Sequence, residues 1–541
     1  SILLLLQTAS YAQQPSGRTT ATKIADVLAQ QPAEEQSKFL LAMKELENFT
    51  PEDVAALLVT LKPQGGPNAT VEYATNSYAF YVMQPGKDAA REKYANGLLL
   101  ALDQVKDKDN KGYVLELLKF CAKNEAVAKV STFLTDDYLA EKAARVLSAI
   151  DTKESSDALN KALTGNVTEK TATAIIGALS EVKNQDAEAR IIELIGQFSS
   201  DNFQRNAFTA LSKFGGQKTY EVLYNKAKSV EFGFDRTNAS SLLIEFANNL
   251  AKNNNQNLAM QVATRVYKEA NGESAIGAKV AALELLSRLQ PSKQRKELLK
   301  ISSSNNAILR NVALGLLGKG ASASDMKKIA SSLLKLDAQG QESVFNFLRT
   351  KDSKASIAVI EKSLPKLKGE EAKIAAYNTL SALTEGANTE FLISQLATAS
   401  TKEADVLKTL LLTSKNAQTI DVVNKVIGSA DEKTQLALLD VLSKRSNPSS
   451  AIEVFNLLNS SNSNVRTAAF AALPNVANDN DFDKIIDVLS KVDANDLKSA
   501  QQAAIVALQN NADKANIVKR LSANISRSLA PSSARYFPIF A

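Results

Sequence analysis

Apolar positions recur along this chain at helical spacing, and one leucine per helix marks the register. These are Leu147, Leu179, Leu211, Leu250, Leu286, Leu317, Leu348, Leu380, Leu411, Leu442, Leu473 and Leu508. The gaps between them are 32, 32, 39, 36, 31, 31, 32, 31, 31, 31 and 35 residues. Upstream of the leucine, apolar or small residues continue the stripe, as in Phe203, Ala207 and Leu211 or Leu139, Ala143 and Leu147. Steps of four residues keep such side chains on one helical face. A fixed period in the range of roughly 20–50 residues marks a solenoid, in which each unit buries its apolar face only against its neighbours.

The unit is clearest from Leu457 to Leu473, where one helix ends in the polar turn Asn459-Ser460-Ser461-Asn462 and a second begins. The turn also supplies an oxygen to cap that second helix. Alanine four residues before the key leucine lets adjacent helices approach to about 8–10 Å. Val114 and Leu118 form a weaker thirteenth copy, and four further helical stretches precede it near 22–30, 34–48, 51–61 and 88–105. Thr50-Pro51-Glu52-Asp53 is a helix start, with a cap, a proline at the first position and acids in the first turn. The expected organisation is atypical helical repeats over 20–105, a regular array over 106–528, and a linker opening a further segment over 529–541.

Composition narrows the chemistry. The chain has no histidine, no tryptophan and one cysteine, Cys121, which falls on a helical stripe three residues after Leu118. No intrachain disulfide or thiolate cluster can form, and the usual general base and metal ligand is missing. The 64 Lys and Arg against 58 Asp and Glu leave only +6, which is not the charge of a nucleic-acid binder. Ile2 to Leu6 followed by Ser10-Tyr11-Ala12 has the apolar run and small-residue end of an export signal over 1–12, so an exported, periplasmic or extracellular protein is expected. No later run reaches the roughly 20 apolar residues that span a bilayer.

Residues two before each key leucine point away from the core and form the candidate outer face. That column holds Asn248, Asn346 and Asn378 in an uncharged polar middle, which suits a protein or a neutral polar, glycan-related ligand. Two segments break the repeat. The 39-residue gap contains Val230-Glu231-Phe232-Gly233-Phe234-Asp235-Arg236, and insertions in solenoids map to loops on one face. Phe232, Phe234 and Arg236 are therefore candidate partner contacts, with both phenylalanines expected to be partly exposed. Tyr73 to Pro85 is rich in aromatics, and Tyr78 and Tyr81 are candidates for stacking on a sugar, with core packing as the alternative. Asp107 to Gly112 and Asp479 to Asp483 imitate calcium loops but lack the closing carboxylate, and Gly315 to Gly320 reads as a helix end. No catalytic residue, metal ligand or cofactor site is expected.

Asn462 to Leu473 and Ser304 to Leu317 resemble HEAT repeats, in the pattern Asp/Asn-x-x-Val-Arg-x-x-Ala-Ala-x-x-Ala-Leu, which other copies keep only in degenerate form. The resemblance, over roughly 85–525, implies an all-α, right-handed α-solenoid of helical hairpins with a period of about 31 residues, acting as a binding surface. Residues 73–150 also resemble secreted bacterial HEAT-repeat proteins that precede a 3-keto-disaccharide hydrolase-like domain. That likeness implies an alternative, the accessory region of a sugar-active enzyme, with Tyr536 to Phe540 as the opening strand of such a domain. The main expectation is a non-catalytic exported scaffold.

Overall fold

The computed structural model describes residues 17–318, 320–351, 353–510, 513–527 and 534–539. The segment expected to be an export signal, 1–12, lies outside them. Among the described residues the chain forms 31 α-helices and nine short 3-10 helices, with no strand. It divides into two units, Ser1–Gln290 and Pro291–Ala541.

In the first unit the key leucines sit on Ala140–Ile150, Glu169–Glu181, Asp201–Phe214, Ala239–Lys252 and Ile276–Leu289. These helices pack side by side in series, each paired with the helix before it, so the unit is built of two helical layers. The same arrangement runs through the second unit, from Ala307–Leu317 to Leu497–Asn510. Eleven of the twelve key leucines are buried. The exception is Leu508, which is half-buried. On its helix Ala500, Ala503, Ala504 and Ala507 make the core face, so the apolar stripe is rotated by one residue.

The four early helices expected from pattern are present as Thr20–Leu28, Gln36–Glu47, Pro51–Val59 and Asp88–Gln104. Thr50 and Asp53 form a reciprocal capping box, with Thr50 Oγ1 accepting from the Asp53 amide at 3.2 Å and the Asp53 carboxylate accepting from the Thr50 amide at 3.1 Å. A fifth helix, Ala69–Tyr81, carries most of the aromatic segment. The Asp107 side chain caps Lys108–Cys121, and Asp479–Asp481 is a 3-10 turn capped by Asn478. Gly318 follows the helix Ala307–Leu317 as its C-cap residue.

The C-terminal segment differs from its expected form. Residues 534–539 make a turn and a 3-10 helix, Phe537–Ile539, in place of a strand. Tyr536 and Ile539 are buried, and the Arg535 backbone carbonyl accepts from Gln501 Nε2 at 2.9 Å. The Arg535 guanidinium donates to the Leu489 carbonyl at 3.3 Å and to that of Val492. Tertiary contact with the last repeat thus satisfies the described part of the segment.

Candidate functional site

The outer face is where the spacing places it. Every residue two before a key leucine, from Arg145 to Val506, is exposed or half-buried. The three asparagines of that column differ in their surroundings. Asn248 is engaged, donating to the Ile244 carbonyl at 3.0 Å and accepting from Arg288 at 2.5 Å. Asn346 is exposed and accepts from Arg349 at 3.0 Å, while Asn378 is half-buried. Asn346 and Asn378 lie on successive key-leucine helices of the second unit, whereas Asn248 belongs to the first.

The aromatic segment is not a stacking platform formed by Tyr78 and Tyr81. Both are buried, with Tyr78 edge-on to Tyr94 at 4.9 Å and near-parallel to Tyr81 at 6.0 Å. Helical spacing turns this side of Ala69–Tyr81 into the core and leaves Tyr73 and Phe80 outside.

The insertion separates its two phenylalanines. Glu231 and Phe232 both take left-handed backbone conformations, with φ of 53° and 57°. Two consecutive non-glycine residues there are uncommon and strained. The turn is closed by the Phe232 amide on the Ala227 carbonyl at 2.8 Å and the Gly233 amide on the Val230 carbonyl at 2.9 Å. It drives Phe232 into the core against Tyr224, at 5% exposure, which corrects the expectation that this ring is available to a partner. Phe234, one glycine later, is 90% exposed. Asp235 holds the rest of the loop by accepting from the Thr237 and Ala239 amides, both at 3.1 Å, at the start of Ala239–Lys252. Arg236 is exposed and makes no ion pair among the described residues.

A second feature was not singled out from the sequence. A groove of about 710 Å³ crosses Ala140–Ile150, Glu169–Glu181 and Asp201–Phe214 on the outer face. Its floor is low because Gly177 occupies the column between Arg145 and Thr209. A β-carbon there would meet only Asn206 Nδ2, at 3.6 Å. The rim charges are partly neutralised from within, with Arg145 on Glu141 at 2.6 Å and Lys213 on Glu181 at 2.9 Å. Asn202 lines both this groove and an adjoining hollow of about 490 Å³ bounded by Arg205, Phe234 and Arg236. Groove and loop therefore form one continuous surface. Its signal in the sequence was a glycine in the outward column, followed two repeats later by the long gap.

Elsewhere the chemistry is quiet. Burial pushes the Cys121 thiol up to about 12, and its Sγ lies 3.5 Å from the Leu117 carbonyl. Among the described residues no group of three or more Cys, Asp or Glu is placed to hold a metal ion. No helix there is long and apolar enough to cross a membrane.

No protein-family model matches this sequence, and no curated protein matches it. Among solved structures it is similar to Kap121p bound to RanGTP, at 12% identity over 91% of this chain and 57% of that one, with a TM-score of 0.42. The chain thus spans little more than half the length of that protein. It is also similar to importin beta, at 12% identity over 93% of this chain and 84% of that one, with a TM-score of 0.33. A model of the AP-3 complex in an intermediate open conformation gives 11% identity over 91% and 92%, with a TM-score of 0.33. At these identities and scores no function is read from the neighbours. By its own stacked helical hairpins, the chain has the all-α solenoid fold of HEAT-repeat proteins.

Proposed function

We propose that this chain is a non-catalytic scaffold that captures a protein partner along the outer face of its first unit. The observation that carries the reading is the groove over Gly177, running without interruption to an exposed phenylalanine on a braced loop. Extended surfaces shared by successive repeats are how solenoids bind. An exposed aromatic beside an arginine has the composition of an interface anchor. The partly self-neutralised rim disfavours a polyanion, because a nucleic-acid reader presents unopposed Lys or Arg to phosphates. The run Ile2 to Leu6 with Ser10-Tyr11-Ala12 supports an exported location for this scaffold.

Site-specific photo-crosslinking in the native host tests the reading. A crosslinker at Thr173, in the groove, should trap a partner, whereas one at the exposed Lys161 on the other layer should not. Gly177→Leu should remove the Thr173 adduct with no fall in the melting temperature. Equal adducts from both positions, or an adduct indifferent to Gly177→Leu, would exclude the groove.

A further inference from the structure

The charge of this chain is unevenly placed. Residues 291–368 hold 15 Lys and Arg against 6 Asp and Glu, a net +9 within a chain whose whole net charge is +6. Much of the excess comes to one surface of the second unit. Pro291–Ile301, Ala323–Ser331 and Ile357–Ser363 pack in series as the layer behind the key-leucine helices. Lys293, Lys296 and Lys300 stand on the first, at the steps of three and four that keep side chains on one face. Lys327 and Lys328 stand on the second and Lys362 on the third. All six are exposed, and none makes an ion pair among the described residues. The acids of these helices are withdrawn, with Asp325 buried against Arg295 and Glu297 and Glu361 half-buried. A cation in the last turn of a helix is favoured by the helix dipole, which accounts for Lys300, Lys328 and Lys362. It does not account for Lys293, Lys296 and Lys327, which precede the last turns.

Such a face attracts anions, and its composition discriminates among them. The arginines of this stretch are committed elsewhere: Arg295 to Asp325, Arg310 in the core to the Ser304 carbonyl at 2.9 Å, and Arg349 to Asn346 at 3.0 Å. Lysine alone is a hydrated point charge without the planar fork that reads single phosphates. Single-stranded nucleic acid stacks its bases on aromatic rings, and Phe345 and Phe347, the aromatics of 291–368, are buried. Protein interfaces favour arginine and aromatics and are depleted in lysine. A bilayer carrying acidic lipid needs neither, because each lysine near its surface is attracted as a separate point charge. We infer that this layer of the second unit rests on a bilayer surface bearing acidic phospholipid, its lysines facing the headgroup phosphates. The groove over Gly177 belongs to the first unit, so the two readings stand apart.

Flotation of the full chain with lipid vesicles tests the inference. The chain should float with vesicles of phosphatidylcholine mixed with phosphatidylglycerol and stay behind with phosphatidylcholine alone, and added salt should release it. Lys293→Gln, Lys327→Gln and Lys362→Gln together should lower partitioning about 100-fold, at roughly fivefold for each lysine near an acidic surface. That variant should melt with the wild type, because all three positions are exposed. The same charge removed from exposed lysines of the first unit, as Lys161→Gln, Lys218→Gln and Lys252→Gln, should leave partitioning within about twofold, since distant charges are screened. Gly177→Leu should leave flotation unchanged, so failure here and failure of the groove reading are distinguishable. Equal flotation with neutral and acidic vesicles, equal losses from the two triple variants, or retention by duplex DNA without flotation would overturn the inference.

Discussion

Phe232 packs against Tyr224 with ring centroids 5.8 Å apart, while Phe234, two residues on, touches solvent over nearly its whole ring. The two phenylalanines of one short loop therefore have opposite roles. Phe232→Ala should lower stability by about 3–5 kcal/mol, the range for removing a buried aromatic side chain. Phe234→Ala should stay within about 0.5 kcal/mol of wild type, as exposed substitutions do. Urea unfolding of the two variants checks this, and equal losses would place both rings in the core.

The same Tyr224 ties this region to pH. Its hydroxyl donates to Glu269, which also accepts from Lys228 and Arg265, both at 3.0 Å, and these bonds hold the Glu269 carboxyl at about 2. Burial, together with Glu269, pushes the Tyr224 hydroxyl up to about 12. A depressed carboxyl contributes stability that is complete above its unfolded value, near 4.5, and is lost as pH falls toward about 2. A raised phenol contributes stability that is complete below about 10 and is lost as pH rises toward about 12. Glu269→Gln should flatten the acid limb of a plot of melting temperature against pH. An unchanged acid limb would show that the carboxylate is not held by these partners.

Gly177 lies inside a helix, where glycine costs roughly 0.5–1 kcal/mol relative to alanine. A β-carbon there meets open space apart from one ordinary contact with Asn206. Gly177→Ala should therefore raise stability by about that amount while narrowing the groove by only a methyl group. A loss of stability on thermal unfolding would mean that the helices approach more closely than the structure shows.

Cys121 should be unreactive in the folded protein, because its thiol is buried and its ionisation is pushed up to about 12. A chromogenic disulfide reagent at neutral pH should release one thiol per chain in denaturant and none without it. Rapid native labelling would indicate that the helix Lys108–Cys121 opens.

Much of the architecture was legible because helical repeats are local. The three-to-four-residue spacing of apolar side chains and the polar caps between helices are written in short stretches, and neighbouring units bury one another's stripes. Hence the key leucines up to Leu473, the capping box at Thr50 and the outward column all appear where spacing puts them. Local rules failed where helices meet something irregular. Ala69–Tyr81 hid behind a dense aromatic stretch, part of which its neighbours bury. The core face around Leu508 shifted onto alanines.

The candidate surface divides along the same line. The sequence by itself determined that an insertion interrupts the repeat at Val230 to Arg236 and that a glycine stands in the outward column at 177. Only the tertiary structure decided which phenylalanine would be core. That choice rests on a left-handed turn at Glu231 and Phe232, secured by a hydrogen bond to Ala227 and by the Tyr224 ring. It also decided that Gly177 would open a groove, because three separate helices must lie side by side before one missing side chain leaves a space between them.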